Sequence, residues 1–313
     1  MRRSLLAAAA AIVLVVPHTV RAQDVIEGQF LVSRPGRTNG EIQLMLITET
    51  ARGRSTHGES MPIARLRGLS AQALDAGQRT PVQFELREEA GVIAFEGTAR
   101  NGRAEGQFTF RPADRFADEI ARRAAGRPSE RQMLTLTMGG ATLAEVDALI
   151  DALAERPDTD DLVRLHIHGV TPAYISSLNS IGYRRMDADA YVRLRIHGVD
   201  PEVVREFERM GFRDLDPDEV VRLKIHGVTP AIVEGFREAG FRALDADDAV
   251  RLRIHGVTPE LVRQVQALGY RDVSADEAIR LKIHGVTPDF IRRANSNRTR
   301  SLDEVIRLKI HSD

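Results

Sequence analysis

The chain has 313 residues, of which 42% are hydrophobic, 28% charged and 5% aromatic, with no Trp. A net charge of −1 excludes the strong basic excess of a general nucleic-acid binder. The absence of Cys excludes disulfides, thiolate metal sites, a thiol nucleophile and a lipid-modified cysteine.

Residues 1–22 read as an export signal: Arg2 and Arg3, an apolar run from Leu5 to Val16, then Val20-Arg21-Ala22 as a near small-x-small cleavage site. The run is shorter than the ~18–20 residues a membrane span needs. Cleavage is therefore expected near Ala22, leaving a periplasmic or secreted chain that does not span the membrane. The remainder carries 41 basic and 45 acidic residues.

Residues 23–111 predict a small antiparallel β domain of five or six strands, as a meander or small barrel. Val82 to Arg87 alternates apolar and polar, the period of a half-buried strand. Gly91 to Thr98 and Ala104 to Phe110 flank Asn101-Gly102, a type I′ hairpin signal. Ile26 to Ser33 and Glu41 to Thr48 are further strands. Residues 51–61, polar and Gly-rich, are expected to be a loop, and Ser70 to Ala76 a short helix.

Residues 112–160 are expected to form a helical linker and a degenerate first repeat, and 161–313 a repeat array. Val163-Arg-Leu-His-Ile-His-Gly-Val170 recurs at 192–199, 221–228, 250–257 and 279–286. Its second His falls at 168, 197, 226, 255 and 284, every 29 residues, and His311 follows after 27. One period earlier, Leu134 to Gly140 keeps the register with Gly139 in the His place, as an end repeat of a solenoid often departs from consensus.

Each unit reads as two short helices. Ser274 with Glu277 forms a capping box, with weaker versions at Asp216/Glu219 and Asp245/Asp248. Gly285 ends the first helix, and Thr287-Pro288 opens the second with a cap and an N1 proline. A second helix places Val233, Phe236 and Ala239 on one stripe and ends at Gly240, followed by Phe241. The fold class expected is α+β: a small antiparallel β domain followed by an α-solenoid-like array of two-helix repeats. Val-Arg-Leu-Lys-Ile-His also alternates, so a β-α solenoid stays open as the alternative.

The phrase Ile-His-Gly-Val-Thr-Pro, iterated with Gly-(Phe/Tyr)-Arg-x-Leu, resembles a repeat of bacterial exported proteins of unknown function. It is also similar to the repeats that trail some membrane metallopeptidases of the β-lactam-sensor type. The likeness covers about residues 130–313. It implies no chemistry, and the His-Glu-x-x-His motif of those peptidases is absent.

The candidate partner-binding residues form two ladders. Arg164, Arg193, Arg222, Arg251, Arg280 and Arg307 each lie four residues before the repeated His168, His197, His226, His255, His284 and His311, so on a helix they share a face. Stacked helices stand ~8–10 Å apart, too far for neighbouring His to share a metal. The His are read instead as helix C-terminal caps; His166 and His168 are the open case, since on a strand both rings would share a face and could bind a metal weakly. A second basic ladder is Arg195, Lys224, Arg253, Lys282 and Lys309. Residues 161–313 contain 24 basic and 24 acidic residues, favouring charge pairing between repeats over a polyanion site. Asp214 to Asp218 lacks the Gly and Glu of a calcium loop.

No nucleophile elbow, P-loop or dinucleotide fingerprint occurs. No cofactor or metal is expected. The function expected is a non-catalytic periplasmic interaction module presenting its repeats to an envelope protein, with no nucleic-acid partner. Tyr174, Val203, Ile232, Leu261 and Phe290 vary between repeats and either set specificity or belong to the core. The alternatives are a binder of anionic lipid or polysaccharide through the Arg/Lys ladders, and an enzyme with a site in the β domain near His57, Glu59 and Ser60.

Overall fold

The computed structural model describes residues 25–34, 40–50, 53–294 and 300–311. The export signal expected at 1–22 lies outside them. Among the described residues, seven antiparallel strands form one sheet: β1 (Ile26–Ser33), β2 (Glu41–Thr50), β3 (Gly53–Pro62), β4 (Leu66–Arg67), β5 (Thr80–Glu88), β6 (Gly91–Arg100) and β7 (Arg103–Pro112). Their order is β3-β2-β1-β7-β6-β5-β4. Asn101 and Gly102 both take positive φ in the β6–β7 hairpin, as its tight turn requires.

The stretch 51–61 is not the expected loop: Gly53 onward forms β3, paired with β2 from Thr50↔Gly53 to Glu41↔Pro62. Its side chains alternate, with Ser55, His57, Glu59 and Met61 toward the core face and Thr56, Gly58 and Ser60 exposed. Apolar alternation is missing because β3 is an edge strand, where polar residues deter sheet-to-sheet association.

A short helix α1 (Ala71–Leu74) packs on β6. The helical part begins with α2 (Asp114–Arg123), α3 (Glu130–Gly139) and α4 (Leu143–Ala152). Helix α3 packs against β3, β5, β6 and β7 and buries Met133, Leu134, Leu136, Thr137 and Met138. The degenerate first repeat is therefore part of the core of the sheet. That core joins Phe30, Phe84, Phe95 and Phe108 to Ile120 of α2 and to Leu162 and Val163 of the next helix.

The repeats follow as α5 (Thr159–Ile167), α6 (Pro172–Asn179), α7 (Ala188–Ile196), α8 (Pro201–Arg209), α9 (Pro217–Ile225), α10 (Pro230–Glu238), α11 (Ala246–Ile254), α12 (Pro259–Ala267), α13 (Ala275–Ile283), α14 (Pro288–Ala294) and α15 (Leu302–Ile310). The motif that also alternates is helical throughout, so the units are helix-helix. First helices stack on first helices from α3 to α15, and α4 on α6, α10 on α12 and α12 on α14.

Capping explains this choice. Ser129, Asp158, Asp187, Asp216, Asp245, Ser274 and Ser301 each accept a hydrogen bond from the backbone three residues on. Each first helix of the full repeats that leads into a second one ends in a Schellman turn. In the first of them, Val170 N–H donates to the Leu165 carbonyl and Gly169 N–H to that of His166, with Gly169 at φ 66°. A strand would leave these caps unused. Among the described residues no single helix is long and apolar enough to cross a membrane.

Candidate functional site

The Arg ladder is an internal tie. Arg193 pairs with Asp218 at 3.2 Å, Arg222 with Asp247 at 3.0 Å and Arg280 with Asp303 at 2.6 Å. Arg164 pairs likewise with Asp189, and Arg251 with Asp276. Each Arg thus reaches the acidic first turn of the next repeat, where the helix dipole also favours an acid. Arg307 belongs to α15, the last described helix, so the described residues hold no following repeat for it to reach.

The second basic ladder reaches in the opposite direction. Lys224 Nζ donates to the Gly198 carbonyl at 2.9 Å, and Arg253 Nε to that of His226 at 3.2 Å. Arg195 lies over the Tyr174 ring at 5.0 Å. The second helices repeat the device: Gln266 donates to the Ala239 carbonyl at 2.6 Å, and Arg237 to that of Met210. Free carbonyls at a helix C-terminus are thus satisfied by the following repeat.

The repeated His168, His197, His226, His255 and His284 occupy helix C-caps. Their side chains do not cap the carbonyls as expected. The backbone N–H does so instead, as from His197 to the Arg193 carbonyl. The imidazoles are half-exposed or exposed. Tyr174 is buried, and Val203, Ile232, Leu261 and Phe290 pack against the core of the array, so these variable positions belong to the core.

Sequence reasoning missed the residue beside each His. Ile167, Ile196, Ile225, Ile254 and Ile283 are between 52 and 57% exposed, one per repeat. Isolated exposed apolar side chains are ordinary; the same large one, equally exposed in five successive repeats, is a strip. Its signal in the sequence is the Ile that recurs before each His-Gly. Next to it stand the His and Arg195, Lys224, Arg253 and Lys282, none of which has an ion-pair partner among the described residues.

A second feature lies where the sheet meets the array. A cleft of about 580 Å³ is lined by His57 and Glu59 of β3, Thr135 and Gly139 of α3, Glu145 of α4 and His166 of α5, with Leu149, Val170 and Pro172 as apolar wall. His57 and Thr135 also line an adjoining pocket of about 400 Å³ with Arg131 and Leu134. The structure therefore brings together His57/Glu59 and His166, which are more than a hundred residues apart in sequence; Ser60 faces away.

Burial lowers the His166 pKa, with Glu145 opposing and Arg65 assisting. Burial and then Arg131 lower that of His57. Burial raises the Glu59 carboxyl against the pull of Arg65. Among the described residues no three His, Asp or Glu side chains are arranged to hold a metal ion. Comparison of the sequence with protein families and with curated proteins finds no match to either.

Proposed function

We propose that the chain is an exported, non-catalytic interaction module whose helical array docks an envelope protein along the Ile-His strip. The observation that carries this reading is the equal exposure of Ile167, Ile196, Ile225, Ile254 and Ile283. Apolar anchors at the centre of an interface, with charged groups at its rim, are the usual basis of protein recognition. The Arg ladder supports the array, because its charges are matched by Asp in the adjacent repeats. The partner expected is apolar along its contact line and acidic beside it, complementary to Arg195, Lys224, Arg253 and Lys282.

The test is crosslinking capture from envelope extract, with a photoreactive residue at Arg195. The native chain is compared with a triple Ile196→Ser, Ile225→Ser, Ile254→Ser variant and a triple Arg193→Gln, Arg222→Gln, Arg251→Gln variant, each first shown to be helical by circular dichroism. One protein captured by the native and Arg-variant chains, and lost with the Ile variant, supports the reading. Equal capture by all three defeats it. Salt-sensitive retention on anionic vesicles or polysaccharide, with no protein captured, replaces it with an anionic-surface binder.

A further inference from the structure

The repeats supply their own control for what a packing position holds. At the place of Arg164, Arg193, Arg222, Arg251 and Arg280, the first repeat has Thr135. At the place of the repeated His it has Gly139. At the place of Tyr174, Val203, Ile232, Leu261 and Phe290 it has Glu145. In the second repeat, His166 stands where Arg195, Lys224, Arg253 and Lys282 stand. All four departures line the junction cleft.

Packing an end repeat against a sheet explains a change from polar to apolar. Glu145, an acid at a position otherwise aliphatic or aromatic, is exposed and completes the capping box with Thr142 at the start of α4. Packing does not explain why β3 turns His57 and Glu59 to the core face, opposite Leu46 and Leu44. The change to Gly139 makes room, since a Cβ there would fall within the His166 ring.

The polar capacity facing the cleft is unspent. Glu59 and Glu145 have no ion-pair partner among the described residues. Glu145 Oε2 accepts from the Thr142 backbone and hydroxyl at 3.2 Å, which leaves Oε1 open. The two imidazoles make no side-chain hydrogen bond among the described residues. Arg65, whose charge acts on Glu59, is committed to Glu88 at 2.8 Å and to the Met138 carbonyl at 3.1 Å. Among the described residues no Lys or Arg lines the cleft. Two carboxylates, two imidazoles and an aliphatic wall line the cleft itself, with the charge of Arg131 acting on His57 from the adjoining pocket and that of Arg65 on His166.

We propose that this junction cleft binds an organic cation, a guanidinium or ammonium group on an aliphatic stem. The carboxylates of Glu59 and Glu145 accept from the cation, His57 and His166 accept as neutral imidazoles, and Leu149, Val170 and Pro172 cover the stem. Charge-assisted hydrogen bonds to carboxylates are the strong ones for such groups, and a pocket of this size suits a small ligand or one long side chain. Ile167, the first residue of the Ile-His strip, also lines the cleft, so the two surfaces adjoin there.

The test is calorimetry on the full chain with two probes: agmatine, for a free cation, and acetyl-Gly-Arg-Gly-amide, for a side chain of a peptide. The citrulline analogue of the peptide is the neutral control. Binding of either cation, with none of the control, is the expected result, and the probe that binds more tightly identifies the source. Glu59→Gln and Glu145→Gln should each weaken binding roughly tenfold or more, as loss of a hydrogen bond to a charged group does. Gln keeps the capping box at 145, so that variant remains folded. Imidazole resonances of His57 and His166 should shift on saturation, an independent readout. No binding of either cation at about 10 mM, far weaker than ordinary specific affinities, overturns the proposal. So does binding that both Gln variants retain, or binding of zinc alone that His57→Ala abolishes.

Discussion

The Tyr174 hydroxyl donates a 2.6 Å hydrogen bond to the carbonyl of Val199, one repeat further along the chain. Tyr183 does the same to Leu215 at 2.7 Å. Tyr174→Phe should cost about 1 kcal/mol, the usual net value of such a bond, read as a lower urea midpoint with unchanged slope. Burial, with Asp200 adding and Arg195 opposing, pushes the Tyr174 phenol up to about 12. Burial, with Asp216, Glu208 and Glu219 adding, pushes Tyr183 to about 12 as well. A folded value above the unfolded one, near 10, gives stability that is complete below pH 10 and lost as pH rises toward 12. Burial raises the Tyr191 phenol as well, so phenolate absorbance should show three late-titrating tyrosines, and Tyr174→Phe should flatten the alkaline decline.

Inter-repeat ion pairs and helix caps should differ in weight. Asp218→Asn breaks the half-exposed pair with Arg193 and should cost less than about 1 kcal/mol, shrinking as salt is raised. Asp216→Ala removes a capping box from α9 and should cost about 1 kcal/mol at any salt. Thermal melts of both variants at two ionic strengths distinguish them; a larger, salt-dependent loss at 218 would reverse the ranking.

Gly97 and Gly106 face each other across β6 and β7. A Cβ on Gly97 would collide with the Glu105 carbonyl and Gly106 Cα, which are backbone atoms and cannot swing aside. Gly97→Ala should destabilise the β domain by about 3 kcal/mol or more, at the upper end of overpacking effects. Denaturant unfolding measures it, and a change below half that value would show that the strands can part.

Gly139→Ala places a methyl group in the His166 ring and should cost about 1–3 kcal/mol. Because the obstruction is a side chain, His166→Ala should recover most of that loss. A double-mutant cycle tests the coupling; additive effects would mean that something other than the imidazole resists the added methyl group.

Acid should weaken the junction before the rest of the fold. His57 and His166 have folded pKa values below their ordinary one near 6.5. The neutral forms therefore support folding above pH 6.5, and that support is lost as pH falls from there through the folded values. Glu59, whose folded pKa is raised, acts in the reverse sense at lower pH, near its ordinary value of 4.5. Imidazole NMR titration gives the direction for each ring, and a His166 value at or above 6.5 would contradict the burial argument.

Local chemistry makes the array legible in the sequence. The Ser and Asp caps, the Gly after each His and the Thr-Pro pairs determine helix ends one residue at a time, and the helices begin and end there. The strand β3 is not legible in this way, because Ser55, Thr56, Gly58 and Ser60 carry no apolar alternation and acquire their extended form from pairing with β2. The Ile strip is hidden for a related reason. Whether the last apolar residue on a helical stripe is covered depends on the neighbouring repeat. The junction cleft depends on contacts more than a hundred residues apart, and the sequence shows its parts separately, as departures from the repeat at Thr135, Gly139, Glu145 and His166 and as His57 and Glu59 in the β domain.

The ties between repeats all span nearly one period: Arg to Asp forward, Lys or Arg back to a carbonyl, Tyr to the next backbone. Duplication of one 29-residue segment would bring with it both halves of every such contact, so the new copy would fit its neighbours without any compensating change. The length of the array can thus be altered by inheritance of whole units, while the junction with the sheet, built from residues that break the pattern, stays singular.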